Sequence, residues 1–372
     1  MRLRNSILVV IVLSFWASNV KSEASCDGPH EVCGFVSYVL KLKVGRRLGN
    51  AVYIGPGWAV TNRHIILLSE GTFVETKTGE RYSVEIMPSG YIGDLALLRV
   101  NDLNLGPPPS FTDHVPVGTP LFVIAHRGST GRPIVYPPGI VLLPPADGHS
   151  LARLHHNASG GDGSDGGAVL TEDGRLAGIA TVGNVRRSEA IPAAQIRALT
   201  KEADAGFMKR HGKLGAAYTR CNVVRKKLPK RRVRLARRAI TYLIENCGAT
   251  RNGHLIEDAA RILGRAGHLT EARDLFNQVL SLDPHALGAR LGLVVTLLLG
   301  GGHGETLPHL KWMIKVLPRD FEVLRLSIQA GKYSGDLEFA EAAYSRLHRL
   351  NPALALPMRK FLDGFALPRR AR

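Results

Sequence analysis

Cysteine is scarce in this chain: four residues in 372, at Cys26, Cys33, Cys221 and Cys247. No Cys-x-x-Cys occurs, which argues against a dithiol redox motif or a zinc ribbon. His-Glu-x-x-His, EF-hand and P-loop patterns are also missing, so no metal and no cofactor is expected. Past the first residues, no apolar run approaches the roughly 20 residues of a membrane span. Acidic residues are in deficit. The chain has 31 Asp and Glu against 49 Lys and Arg, a net charge of +18. Such a field favours anionic partners without identifying them. With 45% hydrophobic and 22% charged residues, the composition is globular, and the length allows two or three domains.

Arg2 and Arg4 precede an apolar run from Ile7 to Ala17, and small residues follow at Ser22 and Ala24. This three-part layout predicts a secretory signal over 1–24. The rival reading is an uncleaved anchor, for which the run is about half the needed length. An exported chain, periplasmic or secreted, meets conditions in which disulfides persist. Cys26–Cys33 and Cys221–Cys247 are the sequence-local pairs, one of three possible connectivities.

Residues 34–200 alternate short β-rich runs, such as FVSYVLKLKV and PLFVIAH, with Gly/Pro turns. That rhythm predicts an all-β sandwich or barrel. Residues 251–366 read as helical and repeat. Gly267, Gly301 and Gly335 are spaced by 34 residues, as are Pro284, Pro318 and Pro352. Ala272, Thr306 and Ala340 fall in register between them, followed by Phe276, Leu310 and Tyr344. The glycine permits a tight turn, the small residue a close approach of helices, and the proline a stop. The pattern resembles the tetratricopeptide repeat, with units at about 251–284, 285–318 and 319–352 and a capping helix near 354–366. The resemblance implies a concave array for protein or peptide ligands.

Between the halves, over 205–250, a basic helical linker is predicted. Its segment RKKLPKRRVRLARR (225–238) has nine basic residues in fourteen. The bland reading is a solvated helix face; the sharp one is contact with an anionic envelope surface. Nucleic acid is disfavoured by export and by the lack of interleaved aromatics.

Three segments of the β half carry chemistry: GWAVTNRHII (57–66), GDLALLRV (93–100) and NASGGDGSDGGAVL (157–170), the last followed by DGRLAGIAT. In this order they resemble the trypsin-like serine proteases of the HtrA-type branch. The resemblance implies two six-stranded antiparallel barrels with a site in the cleft between them. It assigns His64 as the base and Asp94, thirty residues on, as the residue that orients it. A loop around Gly163, Gly166 and Gly167 would hold the oxyanion. Without a gap, Asp165 takes the nucleophile position and Ser164 lies one residue early. A one-residue offset moves a Cα by about 3.8 Å, and a displacement of about 1 Å can cost ~10²-fold in rate. Two carboxylates flanking His64 would raise its pKa above ~6.5 and keep it from acting as a base.

The expectation is an exported pseudoprotease with a protein-binding tail. Its alternatives are an active endopeptidase using His64, Asp94 and Ser164, and a scaffold in which the array does all the work. No PDZ-like segment is visible, so HtrA-style assembly is not assumed. His155 and His156, adjacent on a strand, point to opposite sides and make a poor metal pair.

Overall fold

The computed structural model describes residues 26–45, 47–66, 71–126, 132–161, 163–184, 187–199, 207–228 and 233–364. The signal expected over 1–24 lies outside the described residues, as do the middle of the basic run at 229–232 and the end at 365–372.

A short helix, α1 (His30–Gly34), leads in, tied by the disulfide Cys26–Cys33. The first sheet holds β1 (Val39–Val44), β2 (Arg47–Gly55), β3 (Trp58–Asn62), β4 (Thr72–Glu75), β5 (Arg81–Ser83), β6 (Glu85–Met87) and β7 (Leu95–Arg99), in the order β5-β4-β1-β2-β3-β7-β6. Only Val84 separates β5 from β6, and its N–H donates to the Thr72 carbonyl. The run 81–87 therefore joins both edges. Taken as one bent strand, it closes a six-stranded barrel.

The second sheet holds β8 (Pro120–His126), β9 (Pro133–Val135), β10 (Gly139–Leu143), β11 (Leu154–His156), β12 (Ala168–Thr171), β13 (Leu176–Asn184) and β14 (Arg187–Pro192). Pairing of β10 with β8 closes a ring of six, and β9 hangs outside it on β8. The apolar runs stay unbroken because both faces of these strands are buried. In β8, Leu121, Val123 and Ala125 fill the second barrel, while Phe122 and Ile124 point into the seam between barrels. In β1, Leu40 and Leu42 fill the first barrel and Val39 faces the seam. Each such leucine contributes about 1.5–3 kcal/mol.

Nine helices follow among the described residues: α2 (Phe207–Lys227), α3 (Arg237–Gly248), α4 (Gly253–Arg265), α5 (Leu269–Leu282), α6 (Leu287–Leu299), α7 (His303–Val316), α8 (Phe321–Ser334), α9 (Leu337–Leu350) and α10 (Pro352–Leu362). From α4 to α9 they form three antiparallel pairs. Gly267, Gly301 and Gly335 turn the chain within each pair at φ of +91°, +83° and +83°, a region a side chain disfavours. Pro284 and Pro318 lie just past a helix end, and Pro352 opens α10 at its first position, where a missing N–H costs nothing. Ala272, Thr306 and Ala340 are fully buried between helices.

The segment expected as a basic helical linker, 205–250, contains α2 and α3 among its described residues. Helices α2 and α3 are joined by the disulfide Cys221–Cys247. They share one core with α4 to α6, through Tyr218, Leu243, Ile256, Phe276 and Leu293. At the position expected for a capping helix lies α10, Pro352–Leu362.

The array docks on the second barrel through the turns between its helix pairs. After α5, Asp283 accepts from His155 Nε2 at 2.8 Å and from the Arg153 amide at 3.1 Å. His285 Nδ1 donates to the Pro144 carbonyl at 2.9 Å. In the first turn of α8, Glu322 accepts from Arg187 at 3.0 Å.

Candidate functional site

The end of β3 and the start of β7 are neighbours, with Asn62 paired to Leu95. A single 3₁₀ turn after β3 carries His64, and the residue before β7 is Asp94. Strand register alone thus brings the two together. The carbonyl of Asp94 accepts from the Arg63 amide at 3.1 Å, and its Oδ1 from the His64 amide at 2.9 Å. Oδ2 accepts from His64 Nδ1 at 2.8 Å. Asp94 is fully buried, and the His64 charge holds it below the usual carboxylate range against the opposing effect of burial.

The other ring nitrogen of His64 faces Asp165. Nε2 lies 3.3 Å from Asp165 Oδ2. Burial alone would lower the histidine. The charge of Asp94 and hydrogen bonds to Asp165 and Asp94 outweigh it and push the imidazole up to about 10. At neutral pH both nitrogens carry protons.

Ser164 is placed elsewhere. Its Oγ lies toward Gly160, 2.9 Å from where a Cβ on that residue would stand. Its amide donates to the Gly161 carbonyl at 3.1 Å. Among the described residues no hydrogen bond joins Ser164 to His64. The reason is a turn. Gly167 N–H donates to the Ser164 carbonyl at 2.9 Å, which makes Asp165 and Gly166 its central residues. Gly166 has φ +81°, the conformation a type II turn needs at its third position. A Cβ there would meet the Asn50 carbonyl at 2.1 Å.

Asn50, on β2, went unremarked in the sequence and fastens the loop. Its amide donates to the Asp165 carbonyl at 3.1 Å, and Nδ2 donates to the carbonyls of Gly163 and Asp165 at 2.8 and 3.0 Å. Its Oδ1 accepts from the His126 amide at 2.7 Å. All these partners lie far away in the chain, so no local pattern signals the role.

The helical half reaches this cleft. Arg63 is buried and donates to the carbonyls of Gly93 and Tyr91 at 3.2 and 3.0 Å and to His211 Nδ1 of α2 at 3.2 Å. His254 of α4, 3.4 Å from Asp258, stands close enough to sense His64 and Asp165. Burial and the charges of Arg225 and His64 push it down to about 3, so it stays neutral.

Residues 49–179 match the trypsin-like peptidase domain. The N-terminal half has the double β-barrel fold of a trypsin-like domain. Within the chain, 187 residues are 27% identical to the "probable serine protease do-like" of Buchnera aphidicola subsp. Acyrthosiphon pisum (strain APS), covering 46% of this chain and 38% of that protein. Another 28% identity over 185 residues relates it to the periplasmic pH-dependent serine endoprotease DegQ of Escherichia coli (strain K12), covering 46% and 40%. The chain thus spans about two-fifths of the length of these relatives. The crystal structure of Rv3671c from M. tuberculosis H37Rv, inactive form, is similar at 18% identity and a TM-score of 0.39, covering 49% of this chain and 90% of that one.

In the trypsin-like domain the cleft residues come from both barrels, as the motif order implies. A groove of about 630 Å³ lined by Glu31, Phe35, Tyr38, Pro108 and Arg175 contains none of them. His155 and His156 diverge. His155 turns to Asp283, and His156 is enclosed without a side-chain partner and pushed down to about 4 by burial and by His155. Among the described residues no cluster of three or more His, Cys, Asp or Glu is arranged to hold a metal ion, and no helix is long and apolar enough to cross a membrane.

Proposed function

We propose that the chain is an exported trypsin-fold protein without serine-endopeptidase activity, whose helical array binds protein or peptide ligands. The observation that carries this reading is the 3.3 Å approach of Asp165 to His64 Nε2. Serine-protease chemistry needs a hydroxyl there and an imidazole free to take its proton. This cleft offers a carboxylate and an imidazole that already holds both protons. The relatives are named as serine proteases; the family resemblance calls for a serine where this chain has Asp165. Docking of the array through the Asp283 and Glu322 turns supports a role for the barrels as its rigid base.

A fluorophosphonate probe tests the reading. Wild type and Ser164→Ala both stay unlabelled, whereas labelling of wild type that vanishes in Ser164→Ala would establish an active endopeptidase using His64, Asp94 and Ser164. The Asp165→Ser variant serves as the positive control for access of the probe to the cleft.

A further inference from the structure

Charge on the α2–α3 hairpin is almost entirely of one sign. From 207 to 251 the sequence holds fourteen Lys and Arg against a single acidic residue, Glu245, most of the chain's net charge of +18. One of these cations, Arg225, turns inward to Asp258. Others stay outside: Lys226, Lys227, Arg234, Arg237 and Arg238 are exposed. The first barrel adds to them. Arg47 of β2 stands so near Lys226 that its charge, ahead of burial and of Arg225, holds that ammonium below the ordinary lysine range. Cations from a strand and a helix far apart in the chain therefore converge. Such an arrangement opposes its own folding and is relieved when an anionic surface covers it.

The same face carries apolar tips. Val223, one helical turn before Lys226 and Lys227, is 46% exposed, and Tyr242, one turn after Arg238, is 37% exposed. An aliphatic side chain and a tyrosine among lysines and arginines suit a bilayer interface, where basic heads meet phosphates and apolar ends sink below them. Nucleic acid would call for a ladder of aromatic platforms, and Tyr242 stands alone. The hairpin is also closed by Cys221–Cys247, a link that lasts in oxidising compartments, which hold membranes and little nucleic acid.

We propose that this face seats the protein on an anionic phospholipid bilayer. The cations sit at the headgroup phosphates, and Val223 and Tyr242 enter the interface. The test is flotation with vesicles, using the chain from Ser25 onward, which keeps every described residue. Vesicles of phosphatidylglycerol in phosphatidylcholine capture it at low salt and release it at high salt; pure phosphatidylcholine does not capture it. Each cation removed weakens capture about fivefold. Replacing Lys226, Lys227, Arg234, Arg237 and Arg238 with alanine thus lowers it on the order of a thousandfold. Alanine at Lys77, Lys315 and Arg319, exposed cations elsewhere, leaves capture nearly unchanged. Val223→Ser with Tyr242→Ser weakens it further at equal charge. Thermal unfolding of each variant verifies that it is folded. The proposal is overturned if anionic vesicles fail to capture the chain at low salt or if the control set loses as much as the face set. It is equally overturned if single-stranded DNA strips the chain from vesicles and binds regardless of the serine substitutions.

Discussion

Two histidines in this chain are each gripped by an aspartate at 2.8 Å, and the pairs differ in what surrounds them. His155–Asp283 is enclosed, with side chains 1% and 6% exposed. Its carboxylate also receives the amides of Arg153 and His285. Hydrogen bonding to Asp283 and its charge raise His155 against the pull of burial, and the pair joins barrel to array. His64–Asp94 is closed on one side only. Asp94 is sealed, His64 keeps 19% exposure, and the residue across from it, Asp165, keeps 32%. Identical pair chemistry makes a fastening in one place and an open edge in the other, so access separates structure from site here.

The sharpest way to break the comparison is to remove the enclosed carboxylate. Asp283→Ala leaves a buried imidazole and two amides without their acceptor and costs about 3–5 kcal/mol in denaturant unfolding; a loss below about 1 kcal/mol would refute its role as a fastening. At the open pair, Asp165→Asn removes a half-exposed charge and alters stability by less than about 1 kcal/mol. It lowers the His64 pKa from about 10, which an NMR titration of the ring protons reads. An unmoved titration would show that Asp165 does not face the ring.

The remaining contrast lies in pH. His64 binds its proton more tightly folded, at about 10, than unfolded, at ~6.5. Its contribution is complete below ~6.5, declines as pH rises through the window and is gone above about 10. The stability difference between wild type and His64→Gln therefore shrinks across that range. A difference that grows with pH would contradict the imidazolium.

Much of the barrel half could be read locally, because strand, turn and motif sit within a few residues of one another. His64, Asp94 and Asp165 were named from such segments, and the structure places them together. Asn50 could not be read in this way: its bonds reach residues 113 and 115 positions away, and a lone asparagine in a strand carries no pattern. The hairpin at 207–248 was hidden differently. Its buried stripe of Ala217, Tyr218, Cys221, Leu243 and Cys247 is diluted by basic residues, so charge masked a helical period. The 34-residue rhythm survived because it rests on glycine and proline, whose backbone demands do not depend on their neighbours.

The turn at 164–167 separates shape from reactivity. Gly166 and Asn50 fix its path, and neither contributes a reacting group. The residue between Ser164 and Gly166 occupies a backbone slot open to almost any side chain, so the loop can exchange its functional group by a single replacement while its framework stands. A hydroxyl, a carboxylate or a plain methyl would each arrive at the same spot beside the same imidazole, and this fold can therefore gain or shed a chemistry without being rebuilt.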